Sequence, residues 1–320
     1  MLSYLQAAVI GLLQGVTELF PISSLGHSVL VPAWLGGSWQ NLVTQSSSGD
    51  SGASPYLAFI VALHVGTAVA LLIFFRNDWV RIIGALFRSL RPSWQARRIV
   101  ARDGDERLAW LLVIATIPVG LTGLALEHTF RTLFAKPLAA AVFLTLNGLV
   151  LIAGEVLRRR APQARPDEPV PAYVTADREL AAGAGETTAV RTDRQLATLS
   201  YREGFVIGFF QTFALLAGIS RSGISMVGGL ARGLSHEDAA RFSFLLATPV
   251  ILAAGVLKLP TLAGPSGAHI HGQVLLGTVL AGLAAYVSVK WLVRWFETRT
   301  LTPFAIYCLV AGVASIVRFA

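Results

Sequence analysis

Charge is scarce in this chain. Asp, Glu, Lys and Arg make up 14% of its 320 residues and 54% are hydrophobic, whereas about a quarter of a soluble domain is charged. Together with a mean hydropathy of +0.63, these proportions exclude an ordinary soluble domain and imply a polytopic protein embedded in the lipid bilayer. Cysteine is nearly absent too. The one residue, Cys308, lies in an apolar run, which excludes an internal disulfide and a cysteine-based metal site. No Lys or Arg precedes Arg76, so the basic start of a cleavable signal peptide is missing and none is expected. The formal charge of +8 would admit a nucleic-acid partner, but the basic residues fall in short clusters between apolar runs. That is the pattern of cytoplasmic loops, and no nucleic acid is expected.

Apolar stretches of spanning or near-spanning length run over about 2–20, 56–75, 108–126, 137–157, 203–217, 242–259, 274–293 and 302–317, measured against the roughly 20 residues a crossing helix needs. Two further apolar pieces, about 25–35 and 222–231, are too short to cross, and each follows a Pro/Gly/Ser break. They fit re-entrant half-helices. The loop Arg76–Arg107 carries eight arginines and the polar loop Arg158–Arg202 is similarly basic, so both are expected in the cytoplasm. Residues 36–53 hold no basic residue and are placed outside. The segment 161–200, rich in Pro, Ala, Thr and charge without apolar periodicity, is expected to be a loose loop without chemistry.

The chain repeats itself. QGVTELFPISSLGHS (Gln14–Ser28) and QTFALLAGISRSGIS (Gln211–Ser225) align without a gap at an offset of 197, which is 211 minus 14. Identities in that register include Tyr4/Tyr201, Gly11/Gly208, Gln14/Gln211, Ser23/Ser220, Gly26/Gly223 and Ser28/Ser225. Shared polar and glycine positions point to two copies of one helix, break, helix unit. Following the charges, the first unit enters from outside and the second from the cytoplasm, so the copies are inverted and their breaks meet near the midplane. The simpler alternative has the first segment crossing fully from a cytoplasmic N-terminus. The expected fold class is therefore all-α, a polytopic integral membrane protein with an inverted-topology repeat of about eight membrane segments plus two re-entrant half-helices. It forms one membrane domain, with repeat 1 over about 1–157, a polar loop over 158–200 and repeat 2 over about 201–320.

The polar residues at the breaks carry the candidate chemistry. Gln14 and Glu18, four apart, share a helix face. A carboxylate inside a membrane is costly unless paired or hydrated, so Glu18 implies a polar cavity. His27 follows Ser23 and Ser24 closely enough to serve as an acid or base, with Ser24 as nucleophile if Glu18 or His27 takes its proton. In the second unit, Ser220 and Ser222 flank Arg221 just before a glycine and a new half-helix. Helix-start amides and a guanidinium fork form a phosphate cradle. His64 is a weaker candidate for the same cavity. Asn147, Glu155, His236, Glu237 and Asp238 read as helix-end residues, and Glu127, His128, Arg131 and Lys136 as a solvated outer loop.

The pair of motifs EGxTEFLPxSSxGH and PGxSRSGxT marks the undecaprenyl-diphosphatase family of the bacitracin-resistance type. This sequence resembles it through QGVTELFPISSLGH and AGISRSGIS, and further through FSFLLATPVIL and TPFAIY, over nearly the whole chain. The resemblance implies removal of the terminal phosphate from undecaprenyl diphosphate at the bacterial cytoplasmic membrane, a site open to the outer face, and a divalent cation, Mg²⁺ or Ca²⁺. By position it places Glu18, Ser24, His27 and Arg221 in the catalytic set, with Glu18 also as a metal ligand. Gln14, Ser23, Ser220, Ser222 and Ser225 then contact substrate. Departures from the motif are Ala217 for Pro, Leu25 for Thr and Ser225 for Thr, while Gln14 leaves Glu18 as the motif's only carboxylate. A homodimer is compatible with the sequence but not indicated by it.

Breaking a phosphoanhydride needs charge neutralisation and an in-line oxygen. Arg221, the neighbouring amides and the cation supply the first, and Ser24 or an activated water the second. The alternative from another class is a lipid-phosphate transporter, because inverted repeats with broken helices are also transporter architecture.

Overall fold

A computed structural model describes residues 2–44, 55–125, 136–161, 196–258 and 270–320. The expectations for 162–195 and for Glu127, His128 and Arg131 lie outside these residues. So do residues 45–53 of the outer segment 36–53, while Gly37–Thr44 forms a helix within it.

The described residues are helical throughout, with no strand among them. In order they form α1 (Tyr4–Thr17), α2 (Ser24–Leu35), α3 (Gly37–Thr44), α4 (Pro55–Phe74), α5 (Arg76–Ala96), α6 (Gly104–Ala125) and α7 (Pro137–Arg160). After a short 3₁₀ turn come α8 (Tyr201–Phe210), a 3₁₀ segment (Gln211–Leu215), α9 (Arg221–Leu230), α10 (His236–Lys258), α11 (His271–Thr298) and α12 (Thr302–Phe319).

Five of these are long and apolar enough to cross a membrane, namely α6, α7, α10, α11 and α12, or six if the bent pair α4 and α5 counts as one. The eight apolar segments of the sequence thus resolve into fewer long helices. The runs 2–20 and 203–217 contain helices of only 14 and 10 residues. At 1.5 Å per residue, 14 residues reach about 21 Å, short of a hydrocarbon core about 30 Å thick. The basic stretch after Arg76 corrects the expectation of a loop, because Arg76–Ala96 is a helix. Val80, Ile83, Phe87, Leu90 and Trp94 recur every three or four residues on its exposed side, the spacing of a helical stripe. It leaves α4 at 87°.

Glycine sets the closest helix contacts. A Cβ at Gly11 of α1 would lie 2.5 Å from the Gly277 carbonyl oxygen of α11, and one at Gly208 of α8 would lie 2.1 Å from that of Ala115 on α6. Gly11 and Gly208 are equivalent in the repeat. Each short helix therefore packs against a long helix of the other half of the chain, α1 on α11 and α8 on α6, while α7 packs on α12. In the middle lies α10, whose apolar window is 61% buried against 28–39% for the other four long helices. These pairings bring the breaks after α1 and α8 together.

Candidate active site

The two breaks are built alike, down to their caps. Ser3 caps α1 and pairs with Gln6 in a reciprocal capping box, and Ser200 with Glu203 does the same for α8. Ser23 caps α2 by accepting from the Gly26 amide at 3.2 Å, and Ser220 caps α9 by accepting from the Gly223 amide at 3.1 Å. All four caps obey the 197-residue offset.

Hydrogen bonds lock the breaks to each other. The Gly218 amide donates to Ser23 Oγ at 3.1 Å, and Ser222 Oγ donates to the Phe20 carbonyl at 3.2 Å. Asn147, midway along α7, clamps both. Its Nδ2 donates to the Pro21 carbonyl and its Oδ1 accepts from the Ser220 amide, each at 2.9 Å. The approach is close enough that a Cβ at Gly26 would sit 2.9 Å from the Gly218 Cα. Ser23 holds a left-handed φ of 69° and Gly218 a φ of 115°. Such a conformation costs a serine of order 1–3 kcal/mol and persists only where surroundings enforce it. Here the enforcing groups are the Gly26 and Gly218 amides.

Glu18 stands at the junction, buried, and four donors converge on its carboxylate. Arg221 Nη2 pairs with Oε1. On Oε2 converge the Ser24 hydroxyl, Gln14 Nε2 at 2.9 Å and His64 Nε2 at 3.1 Å. The guanidinium is held from its other side, Nη1 donating to the Ala247 carbonyl at 2.9 Å. His64 Nδ1 meets the Ile60 carbonyl at 2.8 Å, so Nδ1 carries a proton. Contact of Nε2 with the carboxylate then requires a second proton shared between imidazole and carboxylate. With Arg221 present the cluster balances toward positive charge, which suits an anionic ligand.

A cavity of about 240 Å³ opens on this cluster. Glu18, Ser23, Ser24, His64, Gln211, Ser220 and Arg221 supply its polar wall, and Leu25, Val61, Ile219 and Ile251 belong to its apolar one. Leu25, where the motif usually has threonine, is thus an apolar cavity residue. Among the sequence candidates, Gln14 reaches the cluster only through Glu18. Ser222 lies behind it, bonded to Ser220 Oγ at 3.0 Å. Ser225 is buried and its hydroxyl has no partner among the described residues.

His27 does not line the cavity. Its Nδ1 meets the Ser23 carbonyl and its Nε2 the Tyr307 hydroxyl, each at 2.7 Å, and the two rings stack. Both ring nitrogens are therefore committed away from Ser24. The imidazole in contact with the carboxylate is that of His64, given little weight in the sequence. Asn147, expected near a helix end, lies inside α7 and is the clamp. His236 and Glu155 pair at 2.8 Å, and Glu155 also accepts from the Leu301 amide at 2.6 Å, which ties α7 to α10 and to the start of α12.

A family model described as bacitracin resistance protein BacA matches residues 7–314. The chain belongs to the BacA family. Its relatives include a protein of Frankia alni called undecaprenyl-diphosphatase 2, 63% identical with 100% of this chain and 98% of the relative covered. One from Mycolicibacterium paratuberculosis called undecaprenyl-diphosphatase is 60% identical over the same shares. A protein of Chromobacterium violaceum called undecaprenyl-diphosphatase 2 is 41% identical, covering 98% of this chain and 97% of the relative.

Proposed function

We propose that this protein hydrolyses undecaprenyl diphosphate to undecaprenyl phosphate and inorganic phosphate, returning the lipid carrier to cell-wall synthesis. Relatives of that name align with the chain from end to end. The observation that carries the chemistry is one carboxylate shared by a serine hydroxyl and an arginine at the edge of a cavity.

In this reading Arg221 and the amides at the start of α9 hold the terminal phosphoryl group and neutralise its charge. Ser24 Oγ attacks phosphorus while Glu18 takes its proton. The bond from phosphorus to the bridging oxygen breaks, undecaprenyl phosphate leaves with the bond electrons, and water releases phosphate from the serine. In the competing version Glu18 activates water directly. His64 shares its proton with Glu18, and His27 acts as a positioning residue by holding the carbonyl of Ser23.

Among the described residues no three His, Cys, Asp or Glu side chains form a metal-holding group. A hard cation would enter only together with the anionic diphosphate, because both Glu18 oxygens already accept from Arg221, Ser24, Gln14 and His64. Gln14 Oε1 is a buried oxygen with no protein partner beside the Glu18 carboxylate, and Mg²⁺ commonly takes one or two carboxylates together with substrate phosphates. Gln14 and Glu18 would hold Mg²⁺ or Ca²⁺, which when bound supplies further charge neutralisation.

The cavity accommodates a diphosphate headgroup and leaves the long prenyl chain to the bilayer. An inverted repeat is supported by the paired caps and by the reciprocal packing of α1 on α11 and α8 on α6. Helix α1 is too short to cross alone, which favours the re-entrant arrangement. We place repeat 1 at about 1–157 and repeat 2 at about 201–320, in the bacterial inner membrane. The basic stretches face the cytoplasm and the site opens outward.

The test is phosphate release from purified protein given undecaprenyl diphosphate, with and without a chelator. Release by the wild type, and none by Ser24→Ala or Arg221→Ala, is the expected result. A folded wild-type protein that binds the lipid and releases no phosphate would instead be the transporter that broken inverted repeats also build.

A further inference from the structure

Gln211 ends α8 and opens the 3₁₀ segment that walls the cavity. It is fully buried, and neither its Oε1 nor its Nε2 has a partner among the described residues. A buried amide left without partners costs roughly 1–3 kcal/mol per group, so such a residue is retained for something that reaches it.

The repeat shows why it stands alone. Gln14 occupies the equivalent position and turns its Nε2 to Glu18, four residues on, at 2.9 Å. Adding the offset of 197 to 18 gives 215, which is Leu215. The second unit thus keeps the glutamine and lacks the carboxylate that would satisfy it. Gln211 lines the same cavity as Ser24 and Arg221, with its amide set back from the open space. A 3₁₀ turn replaces the α-helix there, and its residues divide between two surfaces. Ala214 and Leu215 line the cavity, whereas Phe213, with Leu216 just after the turn, lines a separate apolar groove. Gln211 is the polar member of the cavity face of that wall.

We infer that Gln211 is a substrate-binding residue whose Nε2 donates to a phosphoryl oxygen of the bound diphosphate, from the wall contributed by the second repeat. The assignment rests on the diphosphatase reading for the identity of the ligand. The amide supplies a neutral donor, which adds to the grip on the headgroup without adding charge beside Glu18. It also explains how an amide with no protein partner is tolerated between apolar neighbours.

The test uses Gln211→Leu and Gln211→Glu in the full-length protein. With undecaprenyl diphosphate and with farnesyl diphosphate, Gln211→Leu should lower kcat/KM about 10- to 100-fold, the worth of a hydrogen bond to a charged group. The loss should be the same for both chain lengths, because the contact is to the headgroup. The apparent melting temperature should stay level or rise, since an unpartnered amide has been removed. Gln211→Glu, with its donor replaced by a negative acceptor, should lose more. Stabilisation by farnesyl diphosphate, read as a thermal shift, should need 10- to 100-fold more ligand in Gln211→Leu. Unchanged kinetics, a loss confined to the long-chain substrate, a fall in melting temperature parallel to activity, or wild-type behaviour of Gln211→Glu would each overturn the assignment. A wild type that farnesyl diphosphate stabilises but that releases no phosphate would defeat the hydrolase reading and leave Gln211 to be judged by the thermal shift.

Discussion

Replacing Asn147 tests whether the clamp between the two breaks controls the chemistry. Asn147→Leu keeps the size of the side chain and removes both of its backbone contacts, leaving the Pro21 carbonyl and the Ser220 amide without that partner. At roughly 1–3 kcal/mol for each buried group, the loss is roughly 2–6 kcal/mol. Asn147→Asp separates the two contacts. It can still accept from Ser220, but it sets a carboxylate oxygen against the Pro21 carbonyl inside an apolar core, and burying that charge is costly. Both variants should melt earlier in detergent. They should also lose activity beyond what unfolding explains, because Ser220 and Arg221 on one side and Glu18 and Ser24 on the other are held in register by this side chain. A misplacement of about 1 Å costs on the order of 100-fold. The assay is initial phosphate release at a temperature where each variant remains folded, beside a melting curve for the same preparation. Wild-type rates in a folded Asn147→Leu protein would refute the argument that the clamp sets the geometry.

Three other outcomes follow from the same contacts. Arg221→Lys keeps the charge but cannot span Glu18 and the Ala247 carbonyl together, so kcat should fall about 100- to 1,000-fold; a loss below tenfold would leave the fork without a role. His64→Ala and His27→Ala should both melt earlier, since each frees buried partners, but His64→Ala should cut the rate further because His64 touches Glu18 directly; a larger rate loss in His27→Ala would exchange their roles. Gly208→Ala would place its Cβ 2.1 Å from the Ala115 carbonyl oxygen and should destabilise the protein by about 1–3 kcal/mol through forced separation of α8 and α6, read as an earlier melt.

The repeat was the most informative feature of the sequence, and its reach has a physical reason. Backbone breaks need caps, and caps need small polar residues at fixed spacing; the Pro/Gly/Ser breaks before about 25–35 and 222–231 were legible, and Ser23 and Ser220 within them cap α2 and α9. Hydropathy did less well. It reads a run of apolar residues as one span, yet residues 2–20 and 203–217 stop being α-helical at Thr17 and Phe210, where Glu18 and Gln211 interrupt the run and apolar side chains resume after them. Glu18 and Arg221 were legible because charge is costly in a membrane. The partner of His27 was not, since Tyr307 lies 280 residues away and nothing local announces it. His64 could have carried more weight by the rule that exposed Glu18, as the one His, Lys, Arg, Asp or Glu in α4.

Each short helix of the site finds its closest long partner in the opposite half of the chain, α1 against α11 and α8 against α6. While the polypeptide is being made, α1 must therefore wait in the membrane until nearly 280 residues have been added before its glycine face is covered. A ribosome-stalled or truncated chain ending in the polar loop would carry Glu18 and Ser24 but neither Arg221 nor the α11 surface on which α1 rests. Hydrolytic capacity is thus withheld until synthesis is almost complete. Two halves expressed separately in one membrane would have to find each other before either held a working centre.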